Sequence, residues 1–425
     1  MALVKSVKLV CFSKIKQDSI LSKRVAIAGA GIGGLCSALA LAKRGFKVSV
    51  FEQAAEIKEV GAGLQLSPNA MQVLNALDIS ALLQSKAFCP QQAVMRHYQH
   101  GKPYFSVPLG KTCEQRYGAT YWHIHRADLQ QALYQACSDN KVDIQLDSQI
   151  LTYQQSVEQV SLQLANQQAF ECDILIGADG IHSKVQATLL ANLSLTSTAK
   201  FTGQVAWRGT VKTKDLPPNL VEPNANLWVG PGKHFVCYYL RGGEEINFVA
   251  VEERSDWKQE SWSQQGDVTQ LRDLFKDWHP QVQEILAAAK QCFIWALFDR
   301  DPLSTWVDGN VALLGDACHP MLPFLAQGAA MAIEDAYVLA AMLNKHSESQ
   351  TALKHYQDAR LPRTAQIQFN ARQNARLYHM KTSLERAKLG ILAGLSTSGL
   401  SDWLAANKLD YIYDYKAVEL TQELD

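Results

Sequence analysis

The chain has 425 residues, too many for one small core and enough for two interlocked ones. Its 41 basic residues balance 41 acidic ones, so overall charge gives no reason to expect nucleic acid or an anionic membrane as the principal partner, while a local basic funnel for an anionic substrate stays compatible. The most apolar stretch, 311–333, is interrupted by Asp316, His319, Pro320 and Pro323, and no run reaches the roughly 20 apolar residues of a spanning helix.

In chain order, the first 23 residues set lysines around a short apolar patch, Leu9 to Phe12, without a clear period, and read as a loosely held extension rather than a secretory signal. Arg24 to Ala28 reads as an apolar strand, followed by the turn Gly29-Ala30-Gly31-Ile32-Gly33-Gly34 and a helix over Leu35 to Lys43 that Gly45 ends. Lys47 to Phe51 alternates as a second strand and closes on Glu52. The middle of the chain is β-rich: Thr202 to Val211, Leu227 to Val229, His234 to Leu240 and Glu245 to Val251 predict a largely antiparallel inserted sheet bounded by glycine turns. From Gly328 the pattern is helical through Val338-Leu339-Ala340, and a long helix follows around Tyr356 to Met380.

The strand, glycine turn, helix and second strand make a unit of about thirty residues with an acidic residue where a dinucleotide fold needs one. Gly29 allows a tight turn, Gly31 close approach of backbone to a pyrophosphate, and Gly34 close strand–helix packing. The helix start then offers free amides and a positive dipole end to the anion. Glu52 is suited to accept from ribose hydroxyls, which disfavours a 2′-phosphorylated nucleotide there. The chain carries one such fingerprint, so any nicotinamide binds transiently, without a Rossmann site of its own. Nine cysteines, scattered singly with no C-x-x-C pair and no zinc spacing, predict reduced thiols in a cytoplasmic protein and no metal site.

Further segments stand in a fixed order: Ala62-Gly63-Leu64-Gln65-Leu66-Ser67-Pro68-Asn69-Ala70, His125-Arg126-Ala127-Asp128-Leu129, Gly177-Ala178-Asp179-Gly180, and Gly315-Asp316-Ala317-Cys318-His319-Pro320 with Gln327-Gly328-Ala329. With Tyr411 to Tyr415 near the end, this order resembles the group A flavoprotein monooxygenases, most of all the salicylate hydroxylase and 3-hydroxybenzoate 6-hydroxylase branch, which also holds 6-hydroxynicotinate 3-monooxygenases. The resemblance implies an α/β fold like that of p-hydroxybenzoate hydroxylase: a Rossmann-type FAD-binding domain, an inserted β-sheet substrate domain and C-terminal helices. On that pattern the FAD domain takes residues 24–95, 118–200 and 296–345, the substrate domain 96–117 and 201–295, and the helical region 346–425.

Carried over, the family pattern implies FAD held by Gly29, Gly31, Gly34 and Glu52 at the adenine end, with Arg126 on the phosphate or ribityl region. Asp316 would bond a ribityl hydroxyl, and Gln327, Gly328 and Ala329 would line the isoalloxazine edge. Asp179 resembles a motif shared between flavin and nicotinamide, although Gln186 stands where an arginine is frequent. The implied reaction uses NADH or NADPH to reduce the flavin, forms a flavin hydroperoxide from O2, and transfers one oxygen to an electron-rich ring.

A base near the substrate's phenolic oxygen aids that transfer, because a phenolate is far more nucleophilic than a phenol. Alternation puts His234, Val236 and Tyr238 on one strand face, and His234 and Tyr238 are the candidate catalytic groups; a surface histidine and a core tyrosine fit the same pattern. His319 reads as structural within the flavin motif. Leu322, Pro323, Phe324 and Trp207 predict apolar pocket walls for a flat ring, with Trp207 equally at home in a core. Pro323 and Phe324 stand where relatives place polar or histidine side chains, so salicylate or hydroxynicotinate specificity does not carry over.

Two alternatives stay open. A hydroxylase of a prenylated ring in quinone synthesis would use the apolar stripe Ile391, Leu392, Leu395, Leu400, Trp403 and Leu404 for peripheral membrane association, whereas core packing or a homodimer seam explains it as well. A non-catalytic binding protein of the same fold would be expected to have lost Gly29, Glu52, Arg126 and Asp316.

Overall fold

Short β-branched and apolar runs form the strands of the nucleotide half, and the computed structural model describes residues 23–57, 63–256, 264–382, 384–385, 388 and 409–422. The expected extension before Lys23 and the stripe from Ile391 to Leu404 lie outside the described residues. Arg24–Ala28 pairs in parallel with Lys47–Phe51 on one side and with Ile174–Gly177 on the other. Val311–Leu313 adds in parallel to Ile174–Gly177, and Asp143–Gln145 to Lys47–Phe51. The six-stranded order, from Val307–Asp308 through Val311–Leu313, Ile174–Gly177, Arg24–Ala28 and Lys47–Phe51 to Asp143–Gln145, is doubly wound. Its four central strands are parallel and largely buried on both faces, as a sheet covered by helices requires, while the short edge strands Asp143–Gln145 and Val307–Asp308 are only partly buried and the latter runs antiparallel. Ile32–Ala42 covers one face, and Gly328–Lys345 packs against that helix.

The expected inserted sheet has eight strands, in the order Gln265–Gly266, Cys292–Asp299, Lys200–Lys212, Glu245–Glu253, Lys233–Leu240, Ala225–Gly230, Gln92–His97 and Pro103–Pro108. All neighbours are antiparallel except Ala225–Gly230 with Gln92–His97, which run parallel. Three expected domain boundaries need correction, because 95/96, 200/201 and 295/296 cut through strands that belong whole to this sheet. Partners of Gln92–His97 lie far along the chain, for instance Ala93 with Ala225, so local alternation cannot reveal which sheet a strand joins.

The large sheet has two different faces. Val205, Trp207, Phe235, Cys237, Phe248 and Ala250 point away from the nucleotide half into a second core closed by the helices Val268–Leu274 and Pro280–Ala288. Ala206, Val251, Trp295 and Leu297 point toward it, packing on Leu322, Phe324 and Ala371. The long helix Ser349–Tyr378 runs beside both halves and carries Pro362 inside it.

Candidate active site

Three glycine signals widely separated in sequence end three adjacent parallel strands: Gly29 follows Arg24–Ala28, Gly177 closes Ile174–Gly177, and Gly315 follows Val311–Leu313. With about 4.8 Å between neighbours, the first and last turns are roughly 10 Å apart across the carboxyl edge of the sheet, where such folds place ligands. Gly29 has φ +95°, and a Cβ there would meet the Ala178 carbonyl oxygen at 2.6 Å; at Gly34 it would meet the Gly29 oxygen at 2.0 Å. A Cβ on Gly31 would meet nothing within 4 Å. Gly29 and Gly34 are therefore fixed by the protein's own packing, whereas Gly31 faces open space.

The helix Ile32–Ala42 starts at Gly31 with no side-chain cap, so its first amides are turned to that space. Glu52 accepts from the Ala30 amide (2.7 Å) and the Ala54 amide (2.9 Å), which ties the second strand to the glycine turn. Each carboxylate oxygen keeps a lone pair for a sugar hydroxyl. Gln130, on the helix Arg126–Asp139, braces the same turn through the Ala30 carbonyl at 3.0 Å. Arg126 opens that helix, half-buried beside the turn's support.

At the other end, Asp316 is exposed while every other residue from Val311 to Pro320 is buried. The helix Gly328–Lys345 begins at the buried Gln327 without a side-chain cap, leaving the Gly328 and Ala329 amides available. An open cradle at Gly31, an acceptor at Glu52, an exposed carboxylate at Asp316 and uncapped amides at Gly328 and Ala329 suit the successive parts of FAD: pyrophosphate, ribose, ribityl chain and pyrimidine edge.

Two of the expected cofactor residues bind within the protein through their side chains. The Asp179 carboxylate accepts from Ser183 Oγ (2.5 Å) and the amides of Lys184 (2.7 Å) and Val185 (3.3 Å), so it braces the start of the helix Lys184–Asn192. Gln327 donates through its side chain to Ser67 Oγ (2.9 Å) and accepts from Asn69 (3.1 Å), leaving only its backbone for a ligand. Gln186, the departure from the family pattern, donates to the Ala317 carbonyl at 2.6 Å and thereby ties its helix to the Gly315–Ala317 turn.

Beneath that turn lies a buried charge network of which the sequence singled out only His319, as structural. Asp335 is 2.5 Å from His319 Nε2 and 2.7 Å from Arg360 Nε, while Glu334 binds Arg360 Nη1 (2.5 Å) and Arg363 Nε (2.8 Å). Asn69 Nδ2 donates to Glu334 Oε1 at 2.6 Å, joining this cluster to Gln327. Burial would push the Asp335 carboxyl up, but His319 and Arg360 outweigh it and hold it below the usual carboxylate range. Cys318, His319 and Asp335 bring ligand-type atoms within 4.8 Å of one another. Arg360 on Asp335, and the Cys318 thiol that burial pushes well up and that donates to the Gly315 carbonyl, make it a closed hydrogen-bonded cluster. Tyr415 stacks over Arg363 at 3.8 Å, which explains the terminal tyrosine segment as a lid on the network.

On the inward face of the large sheet, His234 and Tyr238 are both buried. The His234 ring packs edge-on against Phe324 (5.3 Å) and Tyr378 (5.2 Å), which also touch each other, and its Nδ1 is 2.7 Å from His379 Nε2. The Tyr238 ring rests 4.5 Å from that of His123, and the Asn247 side chain accepts from the Gly63 amide at 2.9 Å beside it. Leu322 and Phe324 are buried against this face, but Pro323 is exposed at the start of a 3-10 turn. Trp207 is not a pocket wall: it pairs with Ala250, points into the second core and donates Nε1 to Glu252 at 2.9 Å. Arg208, its neighbour in the strand, takes the inward face, buried and 5.0 Å above the Trp295 ring.

Fold and site together define a flavin-dinucleotide protein whose cofactor cleft is roofed by a β-sheet. A family model described as "FAD binding domain" matches residues 22–371. The 3-hydroxybenzoate 6-hydroxylase of Polaromonas naphthalenivorans is 37% identical over 84% of this chain and 88% of its own length. A 3-amino-4-hydroxybenzoate 2-monooxygenase of Streptomyces platensis is 34% identical over 84% and 89%. Among solved structures, a salicylate hydroxylase substrate complex superposes with a TM-score of 0.79 at 26% identity, covering 95% of this chain and 98% of that one. The chain belongs to the FAD-dependent aromatic hydroxylases, in the salicylate hydroxylase and 3-hydroxybenzoate 6-hydroxylase branch. It is thus a flavoprotein monooxygenase. Among the described residues no helix is long and apolar enough to cross a membrane.

Proposed function

We propose that this chain takes electrons from NADH or NADPH and hydroxylates a small phenolic aromatic acid held between the FAD cleft and the inward face of the large sheet. Bound FAD would supply the activation of dioxygen and the transfer of one oxygen atom. The observation that carries the reading is one strand face that presents His234 and Tyr238 beside Leu322 and Phe324, next to the edge where the glycine turns converge.

Each group has a role that its surroundings suit. Burial, with His379 beside it, pushes His234 well below the usual histidine value, so its ring is neutral and able to accept a phenolic proton. Burial pushes the Tyr238 hydroxyl up, keeping it protonated as a hydrogen-bond donor. Leu322 and Phe324 supply apolar surface that excludes water from the ring. Arg208 on the same face puts a positive charge where an aromatic carboxylate would be attracted, which favours an aromatic acid over a prenylated phenol.

An anaerobic stopped-flow screen with 3-hydroxybenzoate, 3-amino-4-hydroxybenzoate, salicylate and a prenylated phenol tests this. A small aromatic acid should accelerate flavin reduction by NADH or NADPH and be hydroxylated when air is admitted. Acceleration by the prenylated phenol alone would transfer the assignment to quinone synthesis, and acceleration by none would end the proposal.

A further inference from the structure

His379, the residue that ends the long helix Ser349–Tyr378, joins the inward face of the sheet to the protein surface. Its Nε2 is 2.7 Å from His234 Nδ1, and its Nδ1 is 3.5 Å from Glu253 Oε1. Glu253 is exposed and ion-paired with Lys381 at 2.7 Å. Both histidine rings are buried. From the strand Glu245–Glu253 the titratable group facing them is Glu253; from Lys200–Lys212 the polar neighbour is Gln204, which does not titrate; from the helix end come Tyr378 and Lys381, the latter influenced by Glu385.

The proton order along this line follows from its outer end. Glu253 can only accept, so it calls for a proton on His379 Nδ1. Gln204 lies 3.1 Å from the same nitrogen, and its own carbonyl oxygen is buried without a partner. Turning that amide over presents the oxygen to Nδ1–H, which it then shares with Glu253. His379 Nε2 is then an acceptor, so His234 donates from Nδ1 and keeps a lone pair on Nε2. Nε2 has no hydrogen-bond partner among the described residues, and the adjacent Phe324 and Tyr378 rings pack against the imidazole.

We propose that His379 and Glu253 are positioning residues that carry the substrate's phenolic proton from His234 to solvent. The inference rests on the functional reading above. The phenolic O–H bond breaks as its proton moves to His234 Nε2; the Nδ1 proton of His234 passes to His379 Nε2; and the Nδ1 proton of His379 passes to Glu253, which releases it to water. Both rings are then in the opposite tautomer. A proton returning along the same bonds to the oxygen of the product restores them. Burial pushes His379 down to about 4, only partly opposed by Glu253, so neither ring rests as an imidazolium at neutral pH and the proton moves by relay.

The test uses FAD-loaded protein in two ways. Nitrogen-15 spectra of histidine-labelled enzyme should show His234 and His379 both protonated on Nδ1, the minority tautomer of free histidine; an Nε2 proton on either overturns the proposal. With whichever aromatic acid of the panel turns over, H379Q and E253Q should lower kcat about tenfold or more near pH 7, as loss of proton transfer does, with KM within about threefold. That deficit should shrink as pH rises toward the phenol's own pKa, and Glu253→Asp should restore most of the rate. A deficit that stays constant with pH marks a merely structural role and overturns the proposal. E253Q, at an exposed position, keeps the test open should H379Q fail to fold. If the wild type turns over none of the panel, the functional reading fails by itself, and the nitrogen spectra alone judge the hydrogen-bond order.

Discussion

Replacing Gly31 and Gly34 separately by alanine distinguishes a cofactor cradle from a glycine-rich turn with no ligand. At Gly34 the new methyl would sit 2.0 Å from the Gly29 carbonyl oxygen and 3.1 Å from its carbon, both backbone atoms that cannot swing away. Overpacking of this kind costs about 1–3 kcal/mol or more, so G34A should unfold earlier in urea even without FAD. At Gly31 no atom lies within 4 Å and the backbone is at φ −68°, a conformation alanine adopts freely. G31A apoprotein should therefore match the wild type to within about 1 kcal/mol. The same methyl would occupy the space needed by a pyrophosphate, and losing one charge-assisted bond to it costs about 1.5–3 kcal/mol, or roughly ten- to hundredfold in affinity. Urea melts of the apoproteins and FAD titration by fluorescence quenching give both quantities. G31A binding FAD like the wild type would refute the assignment of this turn to the pyrophosphate.

Asp316→Ala should weaken FAD binding by about tenfold while changing apoprotein stability by less than about 0.5 kcal/mol, since the carboxylate is exposed; a large stability loss with unchanged FAD affinity would point to a packing role. Trp207→Phe should destabilise by about 1–3 kcal/mol through loss of the donor to buried Glu252, and leave binding of the aromatic acid unaltered in a titration of flavin absorbance. Asp335 has a folded pKa below the roughly 3.9 of an unfolded aspartate, so its contribution is complete above about pH 4 and is lost as pH falls through the folded value. Asp335→Asn should lack that part of the acid dependence in urea melts between pH 3 and 7, and should cost about 3–5 kcal/mol at pH 7 by leaving Arg360 and His319 without their shared carboxylate.

What the sequence made legible was local: a glycine turn between two strands, an acidic residue at the second strand's end, and the alternation that set His234 and Tyr238 on one face of Lys233–Leu240. Convergence of the three turns needed the parallel register of strands up to some 290 residues apart, which the family order implied and strand pairing provides. Trp207 stayed open between pocket wall and core because alternation defines two faces without saying which meets the cofactor; pairing with Ala250, and through it with Phe235, settles on the core. Glu334, Asp335, Arg360 and Arg363 escaped notice because a carboxylate pair on one helix and an arginine pair on another read as ordinary solvated faces until the helices pack. His379 gave no signal at all, since one histidine at a helix end matters only through what reaches it from the sheet.

The most direct measurement of the central claim is the visible absorption spectrum of the purified protein supplied with FAD. A bound flavin band that NADH or NADPH bleaches without oxygen, faster when a small aromatic acid is present, and that returns in air with hydroxylated product is the expected result. A protein that stays colourless after incubation with FAD, or a bound flavin whose reduction ignores every aromatic acid offered, would contradict the account.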